Sequence, residues 1–200
     1  MTDDGIGRIL VASLHQSIGD CLPTRLEYYE HWLTPMGLKD NRAGRAPLGA
    51  VLSFLRQEGQ AVYDEVMAGA GRHSAEWHYQ GSGRTQRLLR LLPYRLRARL
   101  ALRRSRRLLQ SAFAPARITV AVRRGVGTVS VAGAIFCALR ETWPWPTCGY
   151  FAAAIARYLA LQGVVADVRV TGCQAVGDGA CTLQVTFRRP EQLPAIEEAA

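Results

Sequence analysis

The stretch Ile118-Thr119-Val120-Ala121-Val122-Arg123-Arg124-Gly125-Val126-Gly127-Thr128-Val129-Ser130-Val131 decides the fold. Its two arms alternate β-branched and small residues with period two, and a glycine-bearing turn separates them. It reads as a pair of strands. Val164 to Ala175 and Cys181 to Arg188 repeat the pattern about Gly177-Asp178-Gly179, which predicts a second hairpin. Between the hairpins, Thr147 stands where a cap would start a helix running to about Leu161. Phe151, Ile155, Tyr158 and Leu159 would form its apolar side, and Gly163 would end it. Upstream, the spacing is helical. Ile6, Ile9, Leu10, Leu14 and Ile18 mark a block over 6–33, interrupted at Gly19-Asp20 and Pro23 and resumed from Arg25 to Leu33, and Leu48, Val51, Leu52, Leu55, Val62, Tyr63 and Val66 mark another over 48–70. Pro35 to Pro47 reads as a loop, and Gly69, Gly71, Gly81 and Gly83 are expected to punctuate the chain after the second block. The order is helices, two strands, a helix, two strands. That is α+β, with a four-stranded, mostly antiparallel sheet packed against helices. The expected division is an N-terminal helical part over 1–83 and a sheet-bearing domain over 84–188, together one compact unit, with a loose tail over 189–200.

The charge is concentrated. The chain has 200 residues, a net charge of +9, and arginine at every basic position except Lys39. From Trp77 to Arg140 there is no Asp or Glu, yet 14 arginines fall there, ten of them between Arg84 and Arg107. Gln86 to Phe113 therefore reads as a cationic amphipathic helix, with Leu92, Leu96, Leu100, Leu108 and Leu109 on its apolar side and Pro93 dividing it or opening its second part. Arg95, Arg99, Arg103, Arg104, Arg106 and Arg107 are its candidate docking residues. They would meet an acidic protein or a membrane surface, since a guanidinium pairs bidentately with carboxylate or phosphate. The other reading is a solvated outer face in a chain that uses arginine in place of lysine throughout. Nucleic acid fits less well, because no aromatics interleave with the arginines and no DNA-binding motif is present. No apolar run is long enough to span a membrane, and the first residues lack a basic-then-apolar leader. The expected location is the cytoplasm, with peripheral membrane contact through the arginine helix.

Five cysteines are present: Cys21, Cys137, Cys148, Cys173 and Cys181. Cys173 and Cys181 flank the second hairpin turn, so they are expected to face each other. Cys148 would sit at a helix start, where backbone N–H groups favour thiolate. Three thiolates could then converge on one zinc ion, or the three could be small buried apolar side chains. The histidines His15, His31, His73 and His78 are scattered and form no ligand pattern.

Cys148-Gly149-Tyr150-Phe151, followed by Val170-Thr171-Gly172-Cys173-Gln174-Ala175-Val176-Gly177-Asp178-Gly179-Ala180-Cys181-Thr182-Leu183, resembles the C-terminal signature of 4-vinyl-reductase domains. Leu91-Leu92-Pro93-Tyr94-Arg95-Leu96 with the arginine helix is similar to the bacteriochlorophyll-biosynthesis proteins of that group. The resemblance covers about 88–188. It implies the twisted sheet and helices of TRAPP trafficking subunits, a homodimer, and binding of a small hydrophobic molecule, tetrapyrrole or another apolar aromatic. It also implies zinc held by three cysteines and a glutamate three residues before the second of them. Cys148, Cys173 and Cys181 match the cysteines, but Val170 occupies the glutamate position. Completing a tetrahedron would then require water, a histidine or Cys137, and otherwise the site is metal-free.

The resemblance places the connection between the first strand pair and the helix beside a hydrophobic pocket, so Phe136 and Cys137, with Trp143-Pro144-Trp145-Pro146 and then Tyr150 and Phe151, are the candidate ligand-binding residues. Aromatic rings held by prolines make a rigid wall for a flat apolar molecule, or alternatively ordinary core packing. The sequence carries no dinucleotide fingerprint, P-loop or C-x-x-C pair. The expected role is thus a carrier, sensor or accessory factor and not an autonomous redox enzyme. The alternatives are an enzyme or subunit acting on a vinyl group, and an assembly adaptor that docks through the arginine helix.

Overall fold

The computed structural model describes residues 5–30, 33, 45–81, 89–138 and 142–188. Strands β1 (Arg117–Arg123) and β2 (Val126–Ala132) join at Arg124-Gly125, both at positive φ, 48° and 82°. Such a two-residue turn matches the twist of the strands it connects, and Gly125 adopts it without strain. Strands β3 (Ala166–Gly172) and β4 (Cys181–Phe187) form the second hairpin. The sheet order is β1-β2-β4-β3, and every pairing is antiparallel. The strand alternation has its expected consequence. Ile118, Val129, Val131, Cys181, Leu183 and Val185 are buried under helices, while Thr119, Thr128, Arg169, Gln184 and Thr186 face solvent.

Six α-helices are described: α1 (Arg8–Cys21), α2 (Leu26–Glu30), α3 (Arg45–Gln57), α4 (Gln60–Gln80), α5 (Tyr94–Ala112) and α6 (Gly149–Leu161). Helix α6 packs on β3, α4 packs on α6, α1 packs on α4, and α5 touches β1 and α6. Buried side chains from Leu10 to Val185 form a single core. The start of α1 is pinned to the end of α5 where the Gly7 N–H donates to the Ala112 carbonyl at 2.9 Å.

Three local expectations are corrected. The 48–70 block is two helices, α3 and α4, separated at Gly59. Gly69 and Gly71 do not punctuate; α4 runs through both. A Cβ on Gly69 would lie 2.1 Å from the Ser17 hydroxyl, and one on Gly71 2.5 Å from the Tyr150 carbonyl. The glycines let α1 and α6 approach the α4 backbone, which offsets their poor helix propensity. Thr147 does not cap α6. Cys148 holds the cap position, and the Thr147 hydroxyl donates instead to the Phe136 carbonyl at 2.9 Å.

His31, Gly83, Arg84, the 189–200 tail and most of the Pro35–Pro47 loop lie outside the described residues. No helix among those described is long and apolar enough to cross a membrane.

Candidate functional site

Four cysteines meet where β2, α6 and the β3–β4 turn converge. Cys137 ends a short 3-10 turn, Ile135–Cys137, that follows β2. Cys148 stands at the head of α6, and its carbonyl accepts the Phe151 N–H at 3.1 Å. Cys173 follows β3. A register shift between Val170 and Gly172 brings Gly172 opposite Thr182, so Cys173 comes next beside Cys181. Cys181 opens β4 on its buried face, opposite Val131. The loop is held by Asp178, whose carboxylate accepts the Cys173 N–H at 2.7 Å, and by Gln174, whose side-chain oxygen accepts the Gly133 N–H at 3.1 Å.

All four thiols are buried and free of disulfides, and their sulfurs lie within 4.8 Å of one another. The Cys137 sulfur is 3.2 Å from that of Cys181 and 3.5 Å from that of Cys173, and the Cys173–Cys181 separation is 4.0 Å. Four sulfurs bound tetrahedrally at about 2.3 Å from one zinc ion stand about 3.8 Å apart. The observed separations bracket that value and far exceed a disulfide bond. The donor set is therefore one that a soft tetrahedral metal fits. Cys137, read in sequence both with the ligand wall and as one option for a fourth ligand, belongs to this cluster, and Val170 lines a groove between α4, α6 and β3.

The thiols influence one another strongly. Hydrogen bonds from Cys137, then Cys148 and Cys181, hold the Cys173 thiol well below its ordinary range. Cys137 is also lowered, chiefly by Cys148. Cys148 and Cys181 are pushed up, chiefly through Cys137, with burial adding to the shift. Early thiolates in such a cluster are stabilised by neighbouring S–H donors, and later ones are opposed by the charge already present. A bound cation removes that opposition.

A hydrogen-bonded frame surrounds the cysteines. The Phe136 carbonyl accepts from the Thr147 hydroxyl and, at 2.9 Å, from a terminal nitrogen of Arg56. The Tyr63 hydroxyl donates to the Thr147 carbonyl at 3.0 Å. Burial pushes the Tyr63 phenol above its usual range, so it serves as a neutral donor. Sequence reading missed Arg56. It is a charged residue on an otherwise ordinary helix, and only the fold buries it to 5% exposure.

The aromatic residues separate into two groups. Phe136 lies 4.9 Å from Tyr150 and 5.2 Å from Phe151, ring centre to centre, and all three are buried core. The Tyr150 hydroxyl is occupied by a relay, donating to Ser74 at 2.7 Å, which donates to Ser13 at 2.8 Å. Trp143 and Trp145 are half-buried and cross edge to face at 5.3 Å. A groove of about 450 Å³ lies between α4, the start of α6 and β3, lined by Gln60, Asp64, Ala153, Val168, Val170 and Pro146 of the wall among others. Burial raises the Asp64 carboxyl there. Sequence reading missed this groove too; the alanines of α6 that open it read simply as helix.

The arginines lie as expected along α5, with Arg95, Arg99, Arg103, Arg106 and Arg107 exposed and Arg104 half-buried. None of those five exposed arginines forms an ion pair with a described residue. Leu91 and Leu96 beside them are 81% and 45% exposed.

No family model matches the chain, and no curated protein matches it. Solved structures do. A trafficking protein particle complex subunit 3 from Naegleria fowleri, covalently bound to palmitic acid, aligns with TM-score 0.53 at 9% identity, over 72% of this chain and 93% of that one. An H-NOX protein from S. oneidensis in the Fe(II)NO ligation state aligns with TM-score 0.58 at 9% identity, over 92% and 100%. The phenol-responsive sensory domain of the transcription activator PoxR with phenol gives TM-score 0.47 at 16% identity, over 72% and 74%, too distant to carry an argument. The architecture is α+β with a four-stranded antiparallel sheet under helices, and a TRAPP subunit is among its structural neighbours.

Proposed function

We propose that this chain is a small-molecule binding domain, a carrier, sensor or accessory factor for a hydrophobic ligand, stapled by one zinc ion on Cys137, Cys148, Cys173 and Cys181. The observation that carries the metal reading is the convergence of those four sulfurs. Four protein thiolates close the coordination sphere and leave no open position for substrate, so the ion's work is structural. It would tie the β2 exit, the α6 start and the β3–β4 turn into one rigid corner. The ligand reading is supported by the fold shared with a palmitic-acid-bound TRAPP subunit and an NO-ligated H-NOX protein. A tetrapyrrole ligand, or a subunit role in vinyl reduction, is the narrower form of this proposal and rests on the Cys148 to Cys181 signature.

Native mass spectrometry of the purified protein tests both parts. One zinc per chain and retention of an added apolar ligand are the expected results. A metal-free chain with four freely titrating thiols overturns the staple, and no association with any apolar compound overturns the ligand reading.

A second reading has its own observation, the five exposed arginines of α5, none in an ion pair with a described residue, beside the exposed Leu91 and Leu96. They suit an anionic membrane surface, with the leucines entering the headgroup boundary. An acidic protein is the competing partner. Flotation with phosphatidylserine vesicles is expected to carry the protein, and recovery equal to that with neutral vesicles contradicts it.

A further inference from the structure

Beside the cysteine corner, three buried N–H donors have no acceptor among the described residues. They are Nε of Arg56 and the indole Nε1 atoms of Trp143 and Trp145. The groups are contiguous. The Arg56 guanidinium carbon lies 6.0 Å from the centre of a Trp143 ring, and the two tryptophans lie 5.3 Å apart. Arg56 uses one terminal nitrogen on the Phe136 carbonyl, and no described carboxylate pairs with it. Buried N–H groups are nearly always satisfied, and a buried guanidinium without a counter-charge is costly.

The chemistry of the missing partner follows. Every orphan in this group donates, one belongs to a permanent cation, and flat rings stand alongside. One partner that answers all three donors accepts several hydrogen bonds and carries negative charge, and the flat rings beside them suit an apolar body. A carboxylate offers about four lone-pair sites on two oxygens, enough for three donors. It is also the group a guanidinium pairs with best. Resting on the reading of this chain as an apolar-ligand domain, we propose that Arg56, Trp143 and Trp145 take the carboxylate of an otherwise apolar acid. The half-exposed faces of the tryptophans receive its body.

A rival account makes Arg56 the counter-charge of the thiolate cluster, since its bonded carbonyl belongs to the residue before Cys137. That account uses the charge but leaves both indole N–H groups unanswered.

Calorimetry on the full-length, zinc-replete protein tests the proposal with two matched pairs, 2-naphthoate against 2-naphthalenemethanol and decanoate against decanol. In at least one pair the acid is expected to bind ten times or more tightly than the alcohol. Arg56→Met is expected to bring that ratio below two. Trp143→Phe and Trp145→Phe keep a ring at a half-exposed position while removing the N–H. Each is expected to weaken the acid several-fold more than it weakens the alcohol, which keeps the test decisive if Arg56→Met fails to fold. Acids and alcohols binding equally overturns the carboxylate site and leaves the apolar-ligand reading standing. Neither pair binding overturns both. Zinc loss in Arg56→Met with an unchanged acid preference assigns Arg56 to the metal corner and overturns the proposal.

Discussion

The cysteine corner and the arginine helix are both concentrations of one residue type, yet the fold treats them oppositely. Four thiols are drawn from separate elements into one dry volume, where hydrogen bonds among them lower Cys173 and Cys137 and push up Cys148 and Cys181. Seven arginines on α5 come from a single helix, and the exposed ones among them have water for company. Buried thiolates require a compensating cation, whereas an exposed charged face requires none. The corner therefore carries the metal proposal, and the helix carries only the reading of a charged surface, although the helix dominates the composition.

The largest test of this contrast removes one thiol of the proposed zinc site. Cys181→Ser is expected to abolish zinc retention and cost more than about 3 kcal/mol, a fall in Tm of roughly 6–12 °C for a domain of this size. Thermal unfolding with and without a chelator checks it. A variant within 1 °C of the parent makes the cluster an ordinary patch of core.

Next comes the packing that sets the corner's position. Gly71→Ala places a methyl group against the Tyr150 carbonyl and 2.9 Å from the Ala154 nitrogen, on the helix that Cys148 heads. Overpacking of this kind costs about 1–3 kcal/mol. Denaturant unfolding measures the loss, and metal content shows whether the shift reaches Cys148.

Thr147→Val keeps the volume and removes the hydroxyl that donates to the Phe136 carbonyl. Arg56 still donates there, so the expected loss is about 1 kcal/mol. A loss far beyond that would mean the hydroxyl also supports the Cys137 sulfur, 3.4 Å away.

Smallest in stability is reversal on the helix. Arg103→Glu with Arg106→Glu is expected to change unfolding free energy by less than about 0.5 kcal/mol per site while sharply reducing recovery with anionic vesicles. A large stability loss would mean that the face is structural, and the contrast with the corner would dissolve.

What the sequence disclosed follows the same division. Period-two alternation in Ile118–Val131 and about Gly177 carried the sheet, because strand faces are set locally. Spacing brought Cys173 and Cys181 together for the same reason. Cys137 was only one of several options for a fourth ligand, since its approach depends on a 3-10 turn and on α6 returning beside it. Gly69 and Gly71 looked like breaks because their value lies in contacts with Ser17 and Tyr150, far away in the chain. Arg56 was invisible, as no local pattern marks an arginine destined for the interior.

X-ray absorption at the zinc edge on the purified full-length protein tests the central claim most directly. The account predicts stoichiometric zinc with four sulfur neighbours at about 2.3 Å and no nitrogen or oxygen in the first shell. Three sulfurs plus a lighter atom would contradict the place of Cys137 in the site, and absence of any metal would contradict the site itself.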